Sequence, residues 1–443
     1  MRSLRWVTSG AVTTAAVLVI STSGVQTPGL TAVAADAGSL GTYAAIAPVR
    51  VLDTRNGTGG QQGPVTAGGV VSIQIDGKGY QTSGHVSAVV LNVTVTAATS
   101  AGFLTVYPGG GARPAASNLN FVAGTTRANS VTVQVGDDGK VDIYNSSNSA
   151  QIIADLSGYF VGDETIPRQG ELQPVQTERI LDTRAPGFGV LPGGSFVNIP
   201  VSYGSAADAH VKALAVNVTA VGATSAGYLT AWDGESSLPA TSTLNYTTNS
   251  VTPNFAIVPT SICPPAECGE GTAYPMIGIY NGSWGSFHTH VIVDIVGFFD
   301  DGALGNGLRF HPISPNRIVD TRTGHGGTPL GAGGIGKVSA SAVTNELTGA
   351  LALNVTAVDP SAATYLTLWP SDDTQPTTST LNTAAHQTVA NAAITLISPD
   401  HQFNVFNRYG TTNYLIDVAG TYDYGSSGAA TATPRTLQPT PFS

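Results

Sequence analysis

Hydrophobic and polar positions alternate along much of this chain. In Val89 to Val95 (VVLNVTV), Val89, Leu91, Val93 and Val95 point one way, and Val90, Asn92 and Thr94 the other. A period of two is the signature of a β-strand. After a turn over Ala97 to Gly102, the next strand places Leu104 and Val106 on one face and Phe103, Thr105 and Tyr107 on the opposite one. The same pattern predicts strands over 70–75, 118–122, 130–135, 141–145 and 151–160, separated by Gly- and Asn-containing turns. No helical periodicity competes. Short strands at such spacing define an all-β fold, an antiparallel β-sandwich or jelly roll.

The pattern occurs three times. Arg-x-x-Asp-Thr-Arg stands at 50–55, 179–184 and 317–322, and Asn-Val-Thr begins at Asn92, Asn217 and Asn354. Ser-x-Leu-Asn follows from Ser117, Ser242 and Ser379, and a further asparagine stands at Asn129, Asn254 and Asn391. Each copy closes on Asp-x-x-Gly, at Asp155, Asp294 and Asp417. The first and last of these asparagines are 37 residues apart in every copy, but the closing Asp comes 26, 40 and 26 residues later. The longer second copy holds both cysteines, Cys263 and Cys268, and an insertion between strands belongs on a surface loop. Three tandem domains are therefore expected over 41–162, 170–301 and 307–424, with a disordered Ser/Ala/Thr/Pro tail over 425–443. Each copy is long enough for a core of its own, so the units are expected to fold independently, like beads.

Together, Arg-x-x-Asp-Thr-Arg, Leu-Asn-Val-Thr, Ser-x-Leu-Asn and the closing Asp-x-x-Gly with aromatic residues resemble a repeat found in secreted proteins of actinobacteria and other soil bacteria. The likeness covers essentially the whole chain after its first residues. Only the third copy departs, ending Gly-Thr-Tyr at 420–422. The resemblance implies an extracellular or cell-surface accessory role.

The N-terminus agrees with export. Arg2 and Arg5 precede an apolar run from Ala11 to Ile20, and Ala32-Val33-Ala34 offers a cleavage site, so 1–34 reads as a signal peptide. No stretch is long enough for a transmembrane helix. In an oxidising compartment Cys263 and Cys268 are expected to form a disulfide, a metal pair being the alternative. A formal net charge of −10, without a basic cluster, argues against nucleic acid as a partner.

With only 10% charged residues, the recurring charges invite a role. Asp53 and Arg55, Asp182 and Arg184, and Asp320 and Arg322 lie two apart and are read as strand residues sharing a face. The arginines are expected to pair with buried carboxylates such as Asp155, Asp294 and Asp417 as structural ion pairs. A shared calcium site is the alternative. The asparagines are expected to bond neighbouring backbone at turns or bulges. No histidine position repeats among His85, His210, His288, His290 and His325, no catalytic motif occurs, and no cofactor is called for.

One feature suggests binding. Phe103-Thr105-Tyr107, Tyr228-Thr230-Trp232 and Tyr365-Thr367-Trp369 set rings beside hydroxyls, next to Asn92, Asn217 and Asn354 on the paired strand. Exposed, that face would suit sugar rings. The competing reading buries the rings beneath a second sheet, a loop or the next domain. The function these readings favour is a non-catalytic secreted binding or adhesion protein for cell-wall or matrix glycans or surface proteins. A structural surface component is the alternative, ahead of a secreted hydrolase.

Overall fold

The computed structural model describes residues 41–77, 86–162, 170–271, 273–283, 285–425 and 440–441. The expected signal peptide, His85 and most of the expected tail lie outside those residues. Where the tail is described it is ordered, because Thr440–Pro441 adds a short strand to the free edge at Val201 and Ser202.

Among the described residues, eight principal strands build the first repeat: Thr42–Asp53, Val70–Gln74, Val86–Thr96, Gly102–Pro108, Leu119–Phe121, Arg127–Gln134, Lys140–Asn145 and Ser149–Val161. They pair antiparallel, first with eighth, second with seventh, third with sixth and fourth with fifth. One sheet then runs first-eighth-third-sixth and the other second-seventh-fourth-fifth. That wrapping is the jelly roll. The second repeat (from Leu172–Asp182 to His288–Phe299) and the third (from Leu308–Asp320 to Asn413–Tyr424) have the same order. The fold is thus all-β, as the alternation predicts. In the second repeat Cys263 and Cys268 are disulfide-bonded across a short helix, Pro265–Cys268, in the predicted insertion.

The first face of the alternating strands fills each repeat's own core. Val89, Leu91, Val93, Val95, Leu104 and Val106 pack together in the first repeat, with corresponding clusters in the other two. The second face meets the neighbouring repeats. Ala88 and Val90, Ala213 and Ala215, and Ala350 and Ala352 join one further apolar cluster drawn from all three copies. The repeats accordingly form one compact unit and share a core, unlike the separate beads expected.

The last ring of each closing motif centres that shared core. Phe160, Phe299 and Tyr422 form a triangle with centroid separations of 6.4, 6.3 and 6.4 Å. Ahead of them, Gly158, Gly297 and Gly420 leave room for Tyr43, Leu172 and Phe310, whose side chains a Cβ at these glycines would meet. Backbone also links the starts of the first strands: Tyr43 N–H donates to Gly170 O, Gly41 and Phe310 exchange hydrogen bonds, and Leu172 pairs with Leu308. The three jelly rolls thus meet around one apolar centre.

Candidate functional site

The inner sheets bring the recurring motifs into one transverse row. Arg50 on the first strand lies opposite Asp155 on the eighth, Asp155 opposite Asn92 on the third, and Asn92 opposite Ser130 on the sixth. Arg179, Asp294, Asn217 and Phe255 make the same row in the second repeat. Arg317, Asp417, Asn354 and Ala392 make it in the third. Motifs far apart in sequence are therefore one surface.

The ion pairs differ from the expected ones in a specific way. The first arginine of the motif, not the second, reaches the closing carboxylate. Arg50 grips Asp155 through Nε and Nη2 at 2.9 and 3.2 Å. Arg179 holds Asp294 at 2.8 and 3.2 Å, and Arg317 holds Asp417 at 2.8 and 2.9 Å. Arg55, Arg184 and Arg322 instead fold back on Asp53, Asp182 and Asp320, whose carboxylates also accept their backbone N–H groups. The physical reason is that the strand ends at Asp53, so Arg55 occupies a turn and cannot share the strand face. Arg50, with the Arg179 and Arg317 equivalents, is the functional member that residue spacing alone missed.

Two carboxylate environments result. Burial pushes Asp155, Asp294 and Asp417 above the usual carboxylate range, although their arginines pull the other way. The hydrogen bond from its arginine holds Asp182 down at about 2, and Asp53 and Asp320 are lowered by the same bond. Among the described residues no group of three or more metal-ligating side chains occurs.

The asparagines do more than close local turns. Asn92 donates to Ser242 O of the second repeat at 2.6 Å, Asn217 to Ser379 O of the third at 2.8 Å, and Asn354 to Ser117 O of the first at 2.7 Å. Asn254, Asn391 and Asn129 donate to the side-chain oxygens of Asn92, Asn217 and Asn354 at 2.9, 3.0 and 3.0 Å. Their own oxygens accept from Ser130, Phe255 and Ala392 N–H at 3.1, 3.2 and 3.0 Å. Every one of these bonds crosses between repeats, and each set closes a cycle through all three: Asn92, Asn217 and Asn354 donate forward to the next repeat, while Asn254, Asn391 and Asn129 donate back to the preceding one. A buried amide is satisfied here by a neighbouring repeat's backbone, the role a ladder partner plays inside a sheet.

The aromatic strand is covered at the position expected to offer a platform. Tyr107, Trp232 and Trp369 are each 5% exposed. Thr105, Thr230 and Thr367 are buried and donate to Ala116, Thr241 and Thr378 O in the loop that follows their strand. The rings have covers of their own: Trp232 lies over Gly278 and edge-on to Phe196, and Trp369 donates from Nε1 to Asp373 O in the segment after its strand. Phe103, Tyr228 and Tyr365 remain half-buried. They stand beside Tyr144, Tyr280 and Phe406, with centroids 6.2, 6.5 and 6.1 Å apart. Directly across from those rings lie Val70, Phe196 and Ile335, which are 48, 58 and 55% exposed. Each outer sheet so carries one row of apolar and aromatic side chains.

Clefts open between repeats. One of 620 Å³ lies between the first and third repeats, with Phe103, Asn120, Arg127, Arg317 and Arg322 on its walls. Another, of 510 Å³, takes Arg127, Asn245, Thr252, Tyr365 and Asn382 from all three repeats. Of the histidines, His210 meets Asp301 at 3.1 Å, His290 meets Thr183 at 3.1 Å and His325 meets Arg317 O at 3.1 Å.

No family model and no curated protein matches the chain. Among solved structures, the chain is similar to one described as "The Triple Jelly Roll Fold and Turret Assembly in an Archaeal Virus", at 10% identity over 87% of this chain and 90% of that one, with a TM-score of 0.16. A second, described as "Life in the extremes: atomic structure of Sulfolobus Turreted Icosahedral Virus", shows 10% identity over 87% of this chain and 91% of that one, with a TM-score of 0.15. Superpositions that loose carry no argument, and the jelly-roll assignment stands on the strand order itself.

Proposed function

We propose that the protein is a non-catalytic structural component of an extracellular surface or matrix, exported by its N-terminal segment and related to the secreted bacterial repeat proteins it resembles. One observation carries this reading: the recurring arginines, carboxylates and asparagines are committed to ion pairs within repeats and hydrogen bonds between them. Such a network fixes the relative positions of three lobes, as a load-sharing or spacing element needs. A second reading, adhesion to cell-wall or matrix glycans, moves from the buried tryptophans to the outer-sheet rows. The half-buried Phe103, Tyr228 and Tyr365 beside exposed Val70, Phe196 and Ile335 favour it. Three like faces on one rigid body would also multiply weak contacts.

The test is fractionation of the producing cells followed by sedimentation of purified protein with insoluble cell-wall polysaccharide. The structural reading expects the chain outside the cytoplasm and held in the envelope or matrix fraction. Adhesion adds co-sedimentation that weakens when Val70, Phe196 and Ile335 are all changed to serine. Retention in the cytosol, or release of soluble sugar from the polymer by the purified protein, overturns the proposal.

A further inference from the structure

We propose that Arg127 is the anion-holding centre of a binding site for an acidic saccharide, whose carboxylate would rest on the guanidinium while its hydroxyls meet threonine and asparagine side chains. Three independent observations converge on this residue.

The first is pairing. The six arginines of the repeated motif each hold a carboxylate. Arg127 is half-buried and its backbone pairs with Val95, yet among the described residues its guanidinium has neither an ion pair nor a hydrogen bond. Desolvation alone brings its guanidinium down to about 10, as expected for a cation withdrawn from water without a counter-ion.

The second is position in the repeat. Arg127 stands two residues before Asn129, and the equivalent places before Asn254 and Asn391 hold Thr252 and Val389. The fold is built twice without a charge there, so the arginine is not a requirement of the jelly roll.

The third is the space around it. Arg127 lines both inter-repeat clefts, of 620 and 510 Å³. The larger brings Arg317 and Arg322 to the same space and has no acidic residue on its walls. In the smaller, Arg127 is the one charged wall residue among neutral hydroxyls and amides. Volumes of this order suit a sugar better than a bare inorganic ion. Thr247, Thr252, Asn245 and Asn382 offer donors and acceptors for hydroxyls, and Tyr365 and Tyr409 offer ring faces. An arginine–carboxylate contact would supply the charge-assisted bond that orients such a ligand. The site borders the outer-sheet rows at Phe103 and Tyr365, but its charge comes from Arg127 and it does not depend on where the protein resides.

The experiment is calorimetric titration of the full chain with trigalacturonate, a neutral galactose trimer and inorganic phosphate, repeated on R127T, which installs the residue of the second repeat. Saturable binding of trigalacturonate is expected, weakened about tenfold or more in R127T, with the melting temperature held or raised. The neutral trimer and phosphate should bind far more weakly. Equal affinity for phosphate overturns the saccharide assignment, and equal affinity for the neutral trimer overturns the role of charge. Unchanged affinity in R127T, absence of binding by all three probes, or early unfolding of R127T overturns the site.

Discussion

The inner and outer sheets of each jelly roll share an alternating pattern but meet different surroundings. On the inner third strand, Val89, Leu91, Val93 and Val95 enter the repeat's own core, while Val90 enters the core common to all three repeats. Asn92 and Thr94 on that second face are 7% and 3% exposed. On the outer second strand, Val71 and Ile73 are buried, while Val70 is largely exposed. An inner strand is thus enclosed on both sides, and an outer strand on one. Energetic consequence should follow that enclosure rather than residue type.

The largest effect expected is loss of the shared core. Residues 170–301 expressed alone would uncover Leu172, Ala213, Ala215, Phe255, Ile257 and Phe299 as one apolar face. Analytical ultracentrifugation and calorimetry should find self-association or aggregation and no stable monomer. A monodisperse monomer with a sharp thermal transition would restore the independent-bead reading and break the contrast between sheets.

Next come the two arginines of one motif. Arg179→Ala strands the buried Asp294 and should cost about 3–5 kcal/mol. Arg184, half exposed and paired with Asp182 at a turn, should cost no more than about 1 kcal/mol when changed to alanine. Denaturant midpoints of the two variants measure the difference, and equal losses would mean that the inner row has no special weight.

Removing an inter-repeat amide should have an intermediate effect. Asn217→Ala leaves Ser379 O without this donor and removes the acceptor for Asn391, for a loss of about 1–3 kcal/mol. Thermal unfolding should shift as a single transition, because the bond joins repeats. A shift confined to one of several separate transitions would place the asparagine in a local role.

Acid response sharpens the comparison further. Arg184 holds Asp182 at about 2, below its ordinary 3.8. The stability this lowering contributes is present above the ordinary value and is lost as pH falls toward 2. Asp294 is raised by burial, so its contribution has the opposite sign and protonation favours the folded state over its range. Midpoints followed from pH 5 downward should therefore fall less steeply in Asp182→Asn than in the parent chain, and more steeply in Asp294→Asn.

The smallest effect is expected on the outer face. Phe196 is 58% exposed, and Phe196→Ser should change stability by less than about 0.5 kcal/mol. A large loss would show that the outer rows are structural and would remove the support for adhesion.

Periodicity, recurrence and cysteine placement determined much by themselves: the strands, the all-β class, three copies of one pattern, the insertion and its disulfide. These are local or self-referential properties, set by which side of a strand each residue occupies and by comparison of one copy with another. Which Arg reaches Asp155 depended on where a strand ended, and that required the register between strands far apart in sequence. The burial of Trp232 depended on the neighbouring strands that bring Gly278 and Phe196 against it, and that of Trp369 on the segment folding back to it at Asp373. In isolation Asn92 is expected to bond backbone near it in sequence, because nothing local shows that its partner, Ser242, is 150 positions away in another repeat. Arg127 leaves a trace in sequence, an arginine where the other copies have Thr252 and Val389, but its lack of a counter-ion is a property of three-dimensional space. Tertiary structure alone decided these points, because alternation specifies two faces of a strand without specifying what lies beyond the second.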